Sequence, residues 1–307
     1  MNLYKINKEY SLFLFFFNIF ILFTASEVLE SKEIEVPFKN IICFFLISII
    51  GVSHGALDHI KGYKLMKIYK INNKYFFYPV YIFCCLLVIF FWVIFPSITL
   101  ILFLLVASYH FGKEDSCVGN IIKKKFINLF YLFKGSVVVV APLFFHTEET
   151  LQIFKILGDN LIMTHENFLV SLLLISFIAN FFIMQWSNNS GFFLADWVTI
   201  FALNIFFSPL VAFTIYFCFL HSVRHSFGLI YEINNKNFKN GFKKFFKKAL
   251  PLTLVTAILF VVSVYILTNY YVLDDAILKV IFMGLASLTF PHILLEYLLE
   301  KYEKQRN

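Results

Sequence analysis

The sequence predicts an all-α fold, a polytopic transmembrane bundle of about ten helices, and three observations carry that prediction. The 307 residues are 60% hydrophobic and 15% charged and include 43 phenylalanines, more apolar surface than a water-soluble domain can hide. Apolar runs recur from one end to the other, most near the ~20 residues that a bilayer-crossing helix needs. The runs are continuous rather than alternating, which is the pattern of helices and not of membrane barrel strands.

Taken in order, the spans begin with Tyr10–Ala25, a phenylalanine-rich run preceded by Lys5 and Lys8. It reads as an uncleaved first helix, although Thr24-Ala25-Ser26 also fits a signal sequence cut after Ala25. Phe38–Ile60 ends in the polar stretch GVSHGALDH, just before Lys61. Tyr75–Phe95 stops at Pro96, and Ser97–Phe111 starts behind that proline, a residue suited to a first helical turn. Phe126–Phe145 follows Lys123–Lys125, and Asn167–Gln185 and Phe192–Phe207 come next. Pro209 opens Pro209–Ser226; a lysine cluster precedes Leu250–Leu267; Ala276–Leu299 is the last span and contains Pro291. The first, fourth and seventh runs are short, so the expected number of crossings is eight to ten.

Lysine and arginine gather in cytoplasmic loops because they are costly to translocate. With the N-terminus cytoplasmic, the inner segments hold twenty Lys and Arg, grouped at 5–8, 61–74, 113–125, 236–248 and 301–306. The outer segments hold three, Lys32, Lys39 and Lys155, beside acids such as Glu27, Glu30, Glu148 and Asp274. Both termini are then cytoplasmic, and the formal charge of +7 is a topology signal whose partner is the anionic lipid surface. Nucleic acid is not required to explain it. The five cysteines, Cys43, Cys84, Cys85, Cys117 and Cys218, form no CxxC pair and read as packing residues. Residues 1–36 form an added helix and an acidic outer loop, and 37–307 a single membrane domain.

The eight histidines test this topology, which rests on lysines alone. His54, His59, His110, His221, His225 and His292 all fall toward the cytoplasmic ends of four helices, and only His146 and His165 fall outside. Imidazoles at such depth are costly unless they face the interior and find partners. His221 and His225, in LHSVRHS, are four residues apart and share one helix face, the spacing by which a helix offers two nitrogens to one metal. His54 and His110, flanked by small residues that permit close helix approach, are best placed to complete a set of four. An all-imidazole site suits iron, copper, zinc or nickel, and iron(II) is the choice that does oxygen chemistry. Asp58, Glu114 and Asp115 lie near these histidines in the chain and suit the outer acceptors that orient metal-bound imidazoles, although charge balance against nearby lysines is an alternative use. His59 is off the His54 face and reads as an outer or headgroup-facing residue. His292, in TFPHILLEY with Glu296 one turn on, is a fifth candidate close to substrate.

GVSHGALDH, SYHFGKED and HSVRHS resemble the motifs of the Brp/Blh family of membrane β-carotene oxygenases, over Pro37 to the C-terminus. The gaps of 56 and 111 residues between the first, second and third of the four histidines fit that family's pattern. The resemblance implies Fe(2+) held by His54, His110, His221 and His225. It implies cleavage of β-carotene by O2 at the central 15,15′ double bond, to two molecules of retinal. It assigns no catalytic side chain beyond the ligands. The implied consumer of retinal is a microbial rhodopsin, and the implied location is the inner (cytoplasmic) membrane, with the metal near its cytoplasmic side. The alternatives are a desaturase- or hydroxylase-type oxidoreductase, which lacks its HxxHH box here, and a transporter with a metal or proton site, which would place polar residues on both leaflets.

Overall fold

The computed structural model describes residues 3–28, 36, 38–116, 126–159, 165–186 and 192–306, the side chains of 4, 21–28, 54, 192 and 304–306 excepted. Among the described residues every regular element is helical. We number them α1 Leu3–Val28, α2 Lys39–Ile68, α3 Lys74–Ile94, α4 Pro96–Glu114 and α5 Ile127–Phe145. Then follow α6 Thr147–Ile156, α7 Glu166–Trp186, α8 Phe192–Phe206, α9 at 209–233, α10 Phe238–Leu267 and α11 Leu273–Arg306.

Among the described residues seven helices, α2, α3, α4, α5, α7, α10 and α11, are long and apolar enough to cross a membrane. Of the other expected spans, Tyr10–Ala25 lies within α1, Phe192–Phe207 coincides with the 15-residue α8, and Pro209–Ser226 lies within α9. The loop expected between α5 and α7 carries an additional helix, α6. Its first turn holds Glu148 and Glu149, carboxylates that oppose the positive end of the helix dipole. Pro291 does not end α11, which runs on to Arg306.

Burial separates two kinds of helix. α9 is the central post: Leu210, Val211, Ala212, Thr214, Tyr216, Phe217, Cys218, Leu220 and His221 are all buried. α3 and α10 lie at the periphery and expose most of their apolar side chains, among them Phe83, Leu86, Phe90, Leu254, Ile258 and Leu259. Such a surface is stable only in a lipid solvent. Within the bundle α4 and α5 approach most closely. A Cβ on Gly112 would stand 1.8 Å from the Tyr131 carbonyl oxygen, and one on Gly135 would stand 2.0 Å from that of Ser108. Small residues at a crossing let backbones touch, which is how helices associate where hydrocarbon offers no hydrophobic drive.

α1 is held by polar contacts. Arg224 on α9 pairs with Asp196 on α8 through two hydrogen bonds of 2.8 Å, and its second terminal nitrogen also donates to Ser11 Oγ at 3.0 Å. The Tyr10 hydroxyl donates to the Phe219 carbonyl at 2.7 Å.

Candidate metal centre

Two helices abandon regular geometry where they enter the site. α2 passes through a π turn at Ile47–Gly51 and a 3-10 turn at Val52–Leu57, and α9 contains a π turn at Tyr216–Ser222. Such turns interrupt the regular hydrogen-bond ladder and are frequent at functional sites. The irregular stretches pack on each other. A Cβ on Gly51 would lie 2.5 Å from Cε1 of Phe217, so glycine alone allows the approach, and Ser222 Oγ donates to the Gly51 carbonyl at 2.9 Å. This contact brings the GVSHGALDH and LHSVRHS segments together from opposite parts of the chain.

Four imidazoles form a closed ring. His110 stands 5.3 Å from His221 and 5.3 Å from His292, His292 stands 5.9 Å from His225, and His225 stands 6.5 Å from His221, centroid to centroid. His110, His221 and His292 are 5%, 1% and 4% exposed. The His54 side chain lies outside the described residues. His221 is fixed by aromatic neighbours, with the Phe111 ring at 4.8 Å edge-on and the Phe217 ring stacked at 5.8 Å.

Three of these rings hold a carboxylate at Nδ1. Asp115 Oδ1 is 3.1 Å from His221 Nδ1, Glu114 Oε2 is 3.3 Å from His225 Nδ1, and both oxygens of Asp58 lie 2.9 Å from His292 Nδ1. The carboxylates are themselves held: the Tyr216 hydroxyl donates to Asp115 Oδ2 at 2.7 Å, and that of Tyr81 to Asp58 Oδ2 at 2.9 Å. A carboxylate at one ring nitrogen sets the tautomer and turns the opposite nitrogen, Nε2, away from it, as metal-bound histidines require.

The donor set fits a transition metal of intermediate softness. Single donor atoms of His110, His292 and Glu296 lie within 4.8 Å of one another, as do those of Glu114, His225 and Glu296. Glu296 also accepts from Lys61 Nζ at 2.7 Å and stands 3.7 Å from His292 Nε2.

The sequence-predicted residues are therefore distributed as follows. His110, His221 and His225 stand in the ring, and His292, expected near substrate, stands there with them. Asp115 and Glu114 stand at Nδ1 of the HxxxH pair, His221 and His225. Asp58 has its carboxylate on His292, and the His54 side chain lies outside the described residues. His59 is half-buried on the cavity wall, with Nδ1 at 2.9 Å from the Ala56 carbonyl and its ring against Tyr63. His146 contacts the Asn204 carbonyl elsewhere, and His165 begins α7. The sequence reading missed Tyr81 and Tyr216, which carry no spacing signal. Glu296 had one, four residues beyond His292 on the same face.

From the ring a cavity of about 1000 Å³ runs between α3, α10 and α11. His110, His292 and Asp58 line one end; Leu86, Ile89, Leu259, Phe260 and Met283 line its length; Tyr271 and Lys279 line the other end. α3 and α10 both pack along α11 and make no extensive contact with each other, so the cavity borders the lipid-facing surface of both helices.

The model of a protein family described as beta-carotene 15,15'-dioxygenase matches residues 45–300. A protein of that name from an uncultured marine bacterium, 66A03, is 26% identical over 263 residues, covering 81% of this chain and 90% of the relative. No solved structure matches the chain.

Proposed function

Because the chain belongs to the β-carotene 15,15′-dioxygenase family, we propose that it cleaves β-carotene with O2 at the central double bond, giving two molecules of all-trans-retinal, at an iron(II) ion held by His54, His110, His221 and His225. The observation that carries this reading is the ring of buried imidazoles, three of them bearing carboxylates, at the head of a long apolar cavity. Bound iron(II) would supply the oxygen chemistry that no protein side chain performs.

The chain's own residues have three tasks in this reading. The cavity walls take a rod of hydrocarbon by shape and aromatic contact, since such a ligand offers nothing polar along its length. Phe111 and Phe217 keep water from His221 and hold its ring in place. Asp115 and Glu114 keep His221 and His225 in the tautomer that leaves Nε2 for the ion, and Asp58 holds the His292 ring beside them. His292 stands at ring distance from His110 and His225.

Residues 37–307 form the oxygenase domain in this reading, with α1 as an addition to it. Both termini and the lysine-rich loops lie on the cytoplasmic side of the inner membrane, and the iron lies near that face; the lysine distribution supports this. Retinal made there serves a rhodopsin in the same membrane.

Expression in cells that accumulate β-carotene tests the reading. The expected result is loss of colour with formation of retinal. Substitution His110→Ala should abolish both retinal formation and iron content, and His165→Ala should change neither. Retained colour with an intact, inserted protein refutes the assignment.

A further inference from the structure

The cavity is charged at both ends, and only one of those ends belongs to the histidine site. Among the described lining residues, Lys279 is the single charged side chain away from the histidine end. It projects from α11, half-buried, with Nζ over the Tyr271 ring at 4.7 Å and a hydrogen bond donated to the Ile156 carbonyl at the end of α6. An ammonium carries three donors, and the Ile156 carbonyl accounts for one. The hydroxyls of Thr256 and Ser287 along the walls donate to carbonyls of their own helices.

Length makes this end relevant to the substrate. His292 and Lys279 are thirteen residues apart on one continuous helix, about 20 Å along its axis. An extended chain advances roughly 1.2 Å per backbone atom. On the same figure, the half of a C40 polyene from its central bond to the far edge of its terminal ring spans about 15 Å. The imidazole and lysine side chains cover the remaining few ångström. A substrate centred on the histidine ring therefore brings the outer edge of one terminal ring to Lys279.

We propose that Lys279, with Tyr271 beside it, forms an end-group subsite that accepts a hydroxyl or oxo substituent on the terminal ring of the polyene. The proposal rests on the carotenoid reading above and extends it to the substrate's end group. An apolar ring would meet at this end a partly desolvated ammonium with donors to spare. A ring oxygen accepts from it, and hydrogen bonds to charged groups exceed neutral ones. Lys279 is then a specificity-determining residue, remote from the bond that breaks.

Binding, rather than turnover, tests it. The full chain in lipid nanodiscs, treated with chelator, is titrated with all-trans-retinol and with its ring-oxo derivative, 4-oxoretinol. Both are C20 halves of the relevant length, and the readout is quenching of tryptophan fluorescence, Trp92 being on the cavity wall. The expected result is about tenfold tighter binding of the oxo compound. Lys279→Met should erase that preference, and an unchanged melting curve reports that the variant is folded. Equal binding of the two ligands by the wild type, no binding of either, or a preference that survives in Lys279→Met overturns the proposal and leaves Lys279 as a cap on α6. The assay contains no iron and needs no oxygen chemistry. A protein that shows the preference but makes no retinal in cells refutes the cleavage reading alone; one that makes retinal without the preference refutes the subsite alone.

Discussion

Asp58 follows His54 by four residues, yet its carboxylate accepts from Tyr81 on α3 and pairs with His292 on α11. Glu114 at the end of α4 and Asp115 just after it likewise stand at His225 and His221 on α9. Outer acceptors of this kind are worth about 10–100-fold in metal affinity. Asp115→Asn should accordingly weaken iron binding by about that factor while leaving the protein folded, as read by iron titration alongside a melting curve. Unchanged affinity would separate His221 from the metal.

At the scale of elements, placement of His110 depends on the crossing of α4 and α5. Gly112 and Gly135 bring the two backbones into contact two residues beyond His110. A methyl group at Gly112 would meet backbone atoms, which cannot swing aside as a side-chain tip does. Gly112→Ala should therefore push the helices apart and lower stability by about 1–3 kcal/mol, with loss of activity at temperatures where the protein remains inserted. Chemical denaturation in detergent checks the first effect and retinal yield the second. Gly228, which has no atom within 4 Å of an added Cβ, is the control: Gly228→Ala should be neutral or slightly stabilising, since alanine favours a helix. The π turns of α2 and α9 act at the same scale, bringing two distant motifs to one place.

Across the whole molecule, the buried pair Arg224–Asp196 joins α9 to α8 and, through Ser11, to α1. Arg224 precedes His225 by one residue, so the joint anchors the helix that carries two of the proposed ligands. Arg224→Met would leave Asp196 as a buried, uncompensated carboxylate, a change of about 3–5 kcal/mol. The doubly altered Arg224→Met, Asp196→Leu protein should recover most of that loss, because removing both charges removes the desolvation cost as well. Thermal unfolding of the single and double variants in one detergent distinguishes this from simple loss of packing.

The sequence by itself determined the class of the molecule: helices long and apolar enough to cross a bilayer, and their approximate limits. These are properties of local composition, since an apolar run of sufficient length has one stable form in lipid. Most of the donor set was also legible, because an HxxxH pair on a helix displays both imidazoles together. Tertiary structure decided the rest. It put His292 in the ring, gave Asp58 to His292, supplied Tyr81 and Tyr216, and ran the cavity from the histidines to Lys279. Those relations join residues separated by as many as 234 positions. Their partners are chosen by how helices pack and by the requirement that every buried polar group be matched across them, and neither condition leaves a mark on any one segment.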